Sequence, residues 1–347
     1  MLQKKFSVET VKYLVLFLFL IAITIFSIFI AVSLGPVKIG LANTYRIMLG
    51  KAVVPNLLTG ISNAAIAIVW NMRVPRVLLG LFTGTGLAVC GCVMQTTVNN
   101  PISEPYILGI SAGATFGAVV SIILGFISAV GLGAFLGAIA ATVLVLIIAS
   151  SQRKMTTTSL ILSGTVVNAL FTAFANFIIS IGANSDSIMT VKFWTMGSLA
   201  GTSWSSLPLP LLVVSLSYFF FFLQYRVFNA MMMGDEVAIT LGISLYFYRY
   251  LFMAVIAVIT GVLVSVCGII GFVGLITPHI ARALVGANHR RLFPVAALLG
   301  ALFIIWADVC ARILIQNAEL PIGIFTALVG APFFIFIVAK HQRGAGQ

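Results

Sequence analysis

A chain of 347 residues with 61% hydrophobic and only 7% charged side chains cannot cover itself with polar surface, and its mean hydropathy of +1.19 excludes a soluble domain. The formal charge of +12 belongs, in such a chain, to loop anchors that set membrane orientation, and does not point to nucleic acid. The apolar runs are about twenty residues long and apolar on all sides, where barrel strands alternate over about ten, so the chain reads as an all-α polytopic membrane protein, a single transmembrane domain over residues 1–347.

After a short cytoplasmic segment (residues 1–10), the first run, Val11 to Leu34, follows Lys4, Lys5 and Lys12 and lacks a small-residue cleavage site, so it reads as a retained span. The second covers Val74 to Val98. Pro75 biases its predecessor away from helix, which predicts Arg73 and Arg76 at the outer mouth of this span. Spans three and four cover Tyr106 to Phe126 and Val130 to Ser150. The fifth, Thr157 to Ile181, opens with MTTTSLILSG (Met155 to Gly164), whose threonines are residues that cap helices. Spans six and seven, Ser206 to Tyr225 and Tyr248 to Cys267, flank a polar loop over 226–247. Within it, GDEVAITLG (Gly234 to Gly242) predicts a short helix outside the membrane. Asp235 and Glu236 suit its N-terminus, Val237 and Leu241 share a face, and Gly242 ends it. A compact acidic-capped helix in so uncharged a chain is a surface offered to another protein on the cytosolic side. The eighth span, Leu275 to Val285, is too short to cross about 30 Å of hydrocarbon, so it must be enclosed by protein or continue through broken backbone; the glycines of GIIGFVG (Gly268 to Gly274) and Pro278 fit that need. Phe293 to Ile313 and Ile322 to Lys340 complete ten spans.

With the N-terminus inside, Lys4, Lys5, Lys12, Arg153, Lys154, Arg226, Arg249, Arg282, Arg290, Arg291, Lys340 and Arg343 lie on the inner side, and Lys38, Arg46, Lys51, Arg73, Arg76, Lys192 and Arg312 on the outer side. That bias puts both termini in the cytoplasm and the chain in the cell membrane. The first outer stretch is basic with no acid, which suits either an acidic partner or lipid-headgroup anchoring. Arg312 stands four residues after Asp308, spaced for a pair on one helix turn. Cys90, Cys92, Cys267 and Cys310 fall within spans as small packing residues. His279, His289 and His341 do not face one another at mid-membrane, so the axial ligands of a haem electron carrier are missing. Every acidic residue falls at a span end or in a loop, which argues against an ion-coupled secondary transporter. No convergent nucleophile and base suggests an intramembrane enzyme. There is also no G-x-x-x-x-G-K-[ST] loop to cradle ATP phosphates.

Several segments recur together in order: RVPR (Arg73 to Arg76), NNPISEPYILGISAGA (Asn99 to Ala114), FWTMGSLAGTSW (Phe193 to Trp204), GDEVAITLGIS (Gly234 to Ser244), GFVGLITPHIARALVGANHRRLFP (Gly271 to Pro294), then ADVCAR, AELPIG and TALVGAPFF. From Arg73 to Lys340 the chain resembles the FecCD-type permeases, the membrane subunits of ATP-binding-cassette importers for iron siderophores, haem and cobalamin. The resemblance implies a type II importer permease of ten spans per subunit. It implies a second permease subunit, two cytosolic ATPase subunits that carry ATP and Mg, and an external binding protein. It also implies metal-chelate cargo moved by alternating access, a ferric siderophore foremost, with haem, cobalamin or an oxyanion behind it. No cofactor, metal or catalytic residue is implied for this chain itself. By the same resemblance, Gly234, Asp235, Glu236, Ala238, Leu241 and Gly242 form the helix that couples to the ATPase. Arg73, Arg76 and Arg312 receive carboxylates of the binding protein, for which the planar guanidinium fork is suited. Asn100, Ile102, Thr157 and Thr158 narrow the inner end of the path, beside the capping role open to the threonines, and Glu104 reads as a backbone-capping carboxylate.

Overall fold

The computed structural model describes the backbone of residues 2–150, 155–315 and 318–344 and the side chains of 9–150, 155–315 and 318–337. Arg153 and Lys154 lie outside the described residues, and the side chains of Lys4, Lys5, Lys340, His341 and Arg343 lie outside the described side chains. Among the described residues the regular structure is helical: α1 (Leu2–Ser33), α2 (Leu41–Ala52), α3 (Asn63–Ile66), α4 (Val74–Thr97), α5 (Ile110–Ile123), α6 (Val130–Ser150), α7 (Thr157–Gly182), α8 (Ser185–Thr195), α9 (Pro208–Leu223), α10 (Tyr225–Met231), α11 (Asp235–Thr240), α12 (Leu245–Cys267), α13 (Val273–Val285), α14 (His289–Ile313) and α15 (Ile322–Gly344). Seven helical stretches are long and apolar enough to cross a membrane, and three apolar helices are shorter: α5, α13 and Ile322–Ile337 of α15.

The buried centre is α4 against α14 and α13, with α12 packed on α4 and α6. Lipid supplies no hydrophobic drive between helices, so close approach must come from small residues. Gly84 faces the backbone of Gly300 between α4 and α14, Gly91 faces Gly274 between α4 and α13, and Gly113 and Gly117 face Gly137 and Gly133 between α5 and α6. A Cβ at any of these positions would overlap the opposing backbone. The glycine- and alanine-rich spans are therefore contact faces between helices. Cys90, Cys92 and Cys267 are buried within this centre as packing residues.

The start of the second span differs from the sequence expectation. The second span begins eleven residues earlier than Val74, because Asn63–Thr97 is one helical stretch of 35 residues. Val74 keeps right-handed helical angles (φ −61°, ψ −52°), and the turn before it, Ala67–Arg73, is a π-helix. A wide turn leaves room for the Pro75 ring, which clashes with the preceding turn of a straight α-helix. The proline thus widens the helix without ending it. The short eighth span is confirmed as α13, with the N-terminal half of its side chains buried and Pro278 inside the helix. Its approach is non-helical, with positive φ at Gly268 and Phe272 (67° and 69°), and the Tyr106 hydroxyl meets both the N–H and the carbonyl of Ile270 there.

Candidate coupling and translocation site

The loop helix forms as the sequence predicts. Gly234 takes φ +102°, a conformation L side chains rarely adopt, and turns the chain into α11 with Asp235 and Glu236 in its first turn. At the other end Gly242 (φ +80°) donates to the Ile239 carbonyl at 2.8 Å and Ile243 to the Ala238 carbonyl at 3.0 Å, the paired bonds of a Schellman cap. Val237, Ile239 and Leu241 are exposed. Ala238, grouped with them in the coupling helix, is fully buried against the rest of the chain and seats α11.

Beneath α11 lies a residue that the sequence reading treated only as an inner basic anchor. Arg249, in the first turns of α12, is 5% exposed. Its Nη2 donates to both Asp235 carboxylate oxygens (2.9 and 3.0 Å), its Nη1 to the Met155 carbonyl (2.8 Å) and its Nε to the Thr97 carbonyl (3.2 Å). One signal for it was available. Leu245, Arg249, Phe252 and Ile256 share the buried stripe of α12, and an arginine on a core stripe needs fixed acceptors.

The residues proposed for the inner gate come together on the same side. Thr156, and not the two threonines after it, caps α7 in a reciprocal box with Ser159. Thr157 is thereby freed to donate from its hydroxyl to the Val98 carbonyl at 2.7 Å, tying α7 to the loop after α4. In that loop the Asn100 side chain accepts from the Ile102 backbone at 3.1 Å, and Ile102 and Thr158 are exposed. Glu104 makes no side-chain cap bond to the turn Pro105–Leu108 that it precedes; burial pushes its pKa up, and a hydrogen bond from the Phe272 backbone, at the entry to α13, opposes the shift. Tyr106 adds a second tether, donating to the Ile270 carbonyl at 3.1 Å. His289 is fully buried. Asn229 Oδ1 accepts from its backbone (2.8 Å) and its Nδ1 (3.0 Å), while Nε2 meets the Thr96 hydroxyl at 2.8 Å. An acceptor-only oxygen on Nδ1 fixes the proton there, so this histidine ties α14 to α4 and α10.

At the opposite end the three arginines expected at the outer mouth are buried. Arg73, Arg76 and Arg312 are 5%, 8% and 3% exposed, and their hydrogen bonds turn inward. Arg73 donates to the carbonyls of Val32, Ser33 and Val37, and Arg312 to those of Ala31 and Leu34. The last four carbonyls of a helix have no intrahelical donor; these two guanidinium groups supply donors to those at the end of α1, where the helix dipole also favours positive charge. Arg76 bridges Asp308 (2.8 Å) and Glu319 (2.9 Å), joining α4 to α14 and to the approach to α15. The predicted pair on one turn is present: Arg312 Nε lies 3.1 Å from Asp308 Oδ2. Its N–H, however, is aimed at the Asp308 carbonyl, so Oδ2 is held by charge without a hydrogen bond of its own. Lys38, next to the Val37 that Arg73 bonds, and Lys51, in the last turn of α2, are exposed.

Between the two ends, α7 carries a polar face. Thr158, Thr165, Asn168, Thr172, Asn176 and Ser180 follow one another at helical spacing, and all are exposed. On a helix of membrane length, amides and hydroxyls directed into hydrocarbon are costly.

The sequence pattern of the FecCD transport family matches residues 23–340. The cobalamin import system permease protein BtuC of Halobacterium salinarum is 39% identical over 82% of this chain and 76% of its own length. The vitamin B12 import system permease protein BtuC of Escherichia coli O9:H4 is 37% identical over 79% of this chain and 84% of its own. The chain belongs to the FecCD transport family. It is a membrane protein and a permease of the ABC importer class, as the ordered motifs implied. A solved structure described as a metal-chelate type ABC transporter in an inward-facing conformation superposes with a TM-score of 0.80 at 30% identity, over 94% of this chain and 99% of that one. The FecCD match spans both the α11 loop and the buried arginine cluster, so both ends of the site lie within the family's own framework.

Proposed function

We propose that this chain is one of two permease subunits that enclose a path for a metal chelate across the cell membrane, crossing it ten times with both termini in the cytoplasm. The observation that carries this reading is the exposed polar face of α7: Thr165 bonds the Ile161 carbonyl of its own helix, but the Asn168 and Asn176 amides call for water or a second protein, because lipid offers them no partner. The shorter apolar helices α5, α13 and α15 supply the three crossings beyond the seven long stretches. ATP hydrolysis takes place on separate subunits seated on the exposed Val237, Ile239 and Leu241 of α11. Loop 98–105 and the start of α7 close the inner end. On the outer side the buried arginines hold the shape of the face, and Lys38 and Lys51 offer charge to an acidic binding protein.

For the cargo, the names of two relatives favour a cobalamin-type corrinoid over the ferric siderophore that the sequence motifs alone put first. The α7 face supports a bulky hydrogen-bonding chelate over an oxyanion, since it carries amides and hydroxyls and no cation. The test is ATP-dependent uptake by vesicles holding the permease, its ATPase and its binding protein, with radiolabelled cyanocobalamin and a ferric hydroxamate siderophore offered in parallel. Accumulation of cyanocobalamin alone is the expected result. Accumulation of the siderophore alone reverses the cargo, and accumulation of neither by an assembled, ATP-hydrolysing complex removes the metal-chelate reading.

A further inference from the structure

We propose that Arg249 is the positioning residue through which movement of α11 reaches the inner closure of the path, because its one guanidinium group joins Asp235 of α11 to the end of α4 and the start of α7. The proposal rests on the reading of α11 as the ATPase contact and adds to it the route by which that contact acts.

The geometry is specific. Thr97, Met155 and Asp235 are far apart in sequence, and each belongs to a segment with its own part in the transport reading: Thr97 ends α4 and leads into loop 98–105, Met155 precedes the α7 cap, and Asp235 opens α11. A guanidinium group is planar and stiff, with its donors in fixed directions. Displacement of Asp235 therefore turns the plane as a unit and draws on both carbonyls at once. The Thr157 hydroxyl bond to Val98 closes the circuit, because the residue after Thr97 is already tied to α7. The helix dipole favours the Asp235 carboxylate at the start of α11, and the guanidinium group pairs with that carboxylate. Val237, Ile239 and Leu241 are left outside, while Ala238 is buried, so α11 sits on the permease by a small side chain and by this ion pair. A group that served packing alone would not need to be a buried arginine on a half-exposed acid, since well-packed apolar residues usually replace such a pair without loss.

The test uses the full importer in proteoliposomes with the ATPase face outward, in a Cys310→Ser background that leaves only the buried Cys90, Cys92 and Cys267. Ile102→Cys, at an exposed position of the loop, reports closure through its labelling rate by a membrane-impermeant maleimide, with and without ATP and vanadate. The parent is expected to change rate with nucleotide. Arg249→Gln, which keeps an amide donor but loses the charge and the fork, should retain its ATPase subunits yet lose at least about fivefold of the nucleotide-dependent change, the low end of ordinary coupling between sites. Arg249→Lys should restore part of it. Asp235→Asn combined with Arg249→Gln should be no worse than Arg249→Gln alone, because both changes cut the same link. A full nucleotide response in Arg249→Gln overturns the proposal. If that variant does not accumulate, Asp235→Asn alone decides, because the two carbonyl bonds remain in place and a full response there is equally fatal. Leu241→Arg separates the two readings: if the ATPase co-purifies with it as with the parent, the contact role of α11 fails, whatever Arg249 does.

Discussion

Asp308 holds two arginines with one carboxylate at the outer end of the molecule, and all three side chains are buried. Breaking a buried pair by removing one partner costs about 3–5 kcal/mol, because the other charge is left uncompensated. Asp308→Ala is therefore expected to lower the unfolding temperature in detergent sharply, and Arg312→Glu to do the same, since it also strips donors from the end of α1. A stable, well-folded Arg312→Glu protein that fails only to bind its partner would show that the arginines serve docking and not the α1 terminus. Glu104 gives a pH-dependent counterpart. Burial raises its pKa, so the native state holds the proton more tightly than the unfolded chain does, and the stability this contributes is fully present below the ordinary value of about 4.3. It is lost as pH rises through the higher folded value. Glu104→Gln mimics the neutral form and should be more stable than the parent at about pH 8, with the two converging toward about pH 4; thermal unfolding across that range checks it. The i, i+4 spacing of Asp308 and Arg312 was legible in the sequence. Arg76 on Asp308 and Glu319 was not, because those acids stand more than two hundred positions away.

The helices show where local chemistry ruled and where packing did. Gly234 and Gly242 bracket α11 because only glycine takes their positive φ freely, a preference that acts within one turn. The Pro75 signal is also local, yet it was overridden: α4 gains so much contact with α14, α13 and α12 that the stretch stays helical and adopts a π-turn in place of a break. The Gly84 and Gly300 crossing sets backbone directly against backbone. Gly84→Val should cost about 1–3 kcal/mol by forcing the helices apart, read as a lower unfolding temperature and reduced accumulation. Unchanged stability would mean that α4 and α14 do not meet at this depth.

At the scale of the whole molecule, the α7 face is polar, exposed and membrane-length, and the proposed second subunit is what would satisfy it. Asn168→Leu with Asn176→Leu separates a path from a lipid face: apolar replacement of groups facing lipid would leave stability and uptake equal or improved. If the face lines a path, the double variant should be retained in the membrane and lose most cargo uptake in the vesicle assay. Uptake at the parent level would move the path elsewhere.

Composition by itself determined that the protein lives in lipid, because polar surface was too scarce for water. Runs of apolar residues determined that it is helical, and the ordered motifs determined its family. A local acidic and glycine pattern determined α11. What only the tertiary structure decided was which charges are free. Arg73, Arg76, Arg249 and Arg312 look like the exposed anchors of a basic chain, and each is buried on acceptors supplied largely by other helices. Burial of a guanidinium group depends on where distant carbonyls and carboxylates converge, and that convergence comes from the packing of helices and is written in no single stretch of sequence.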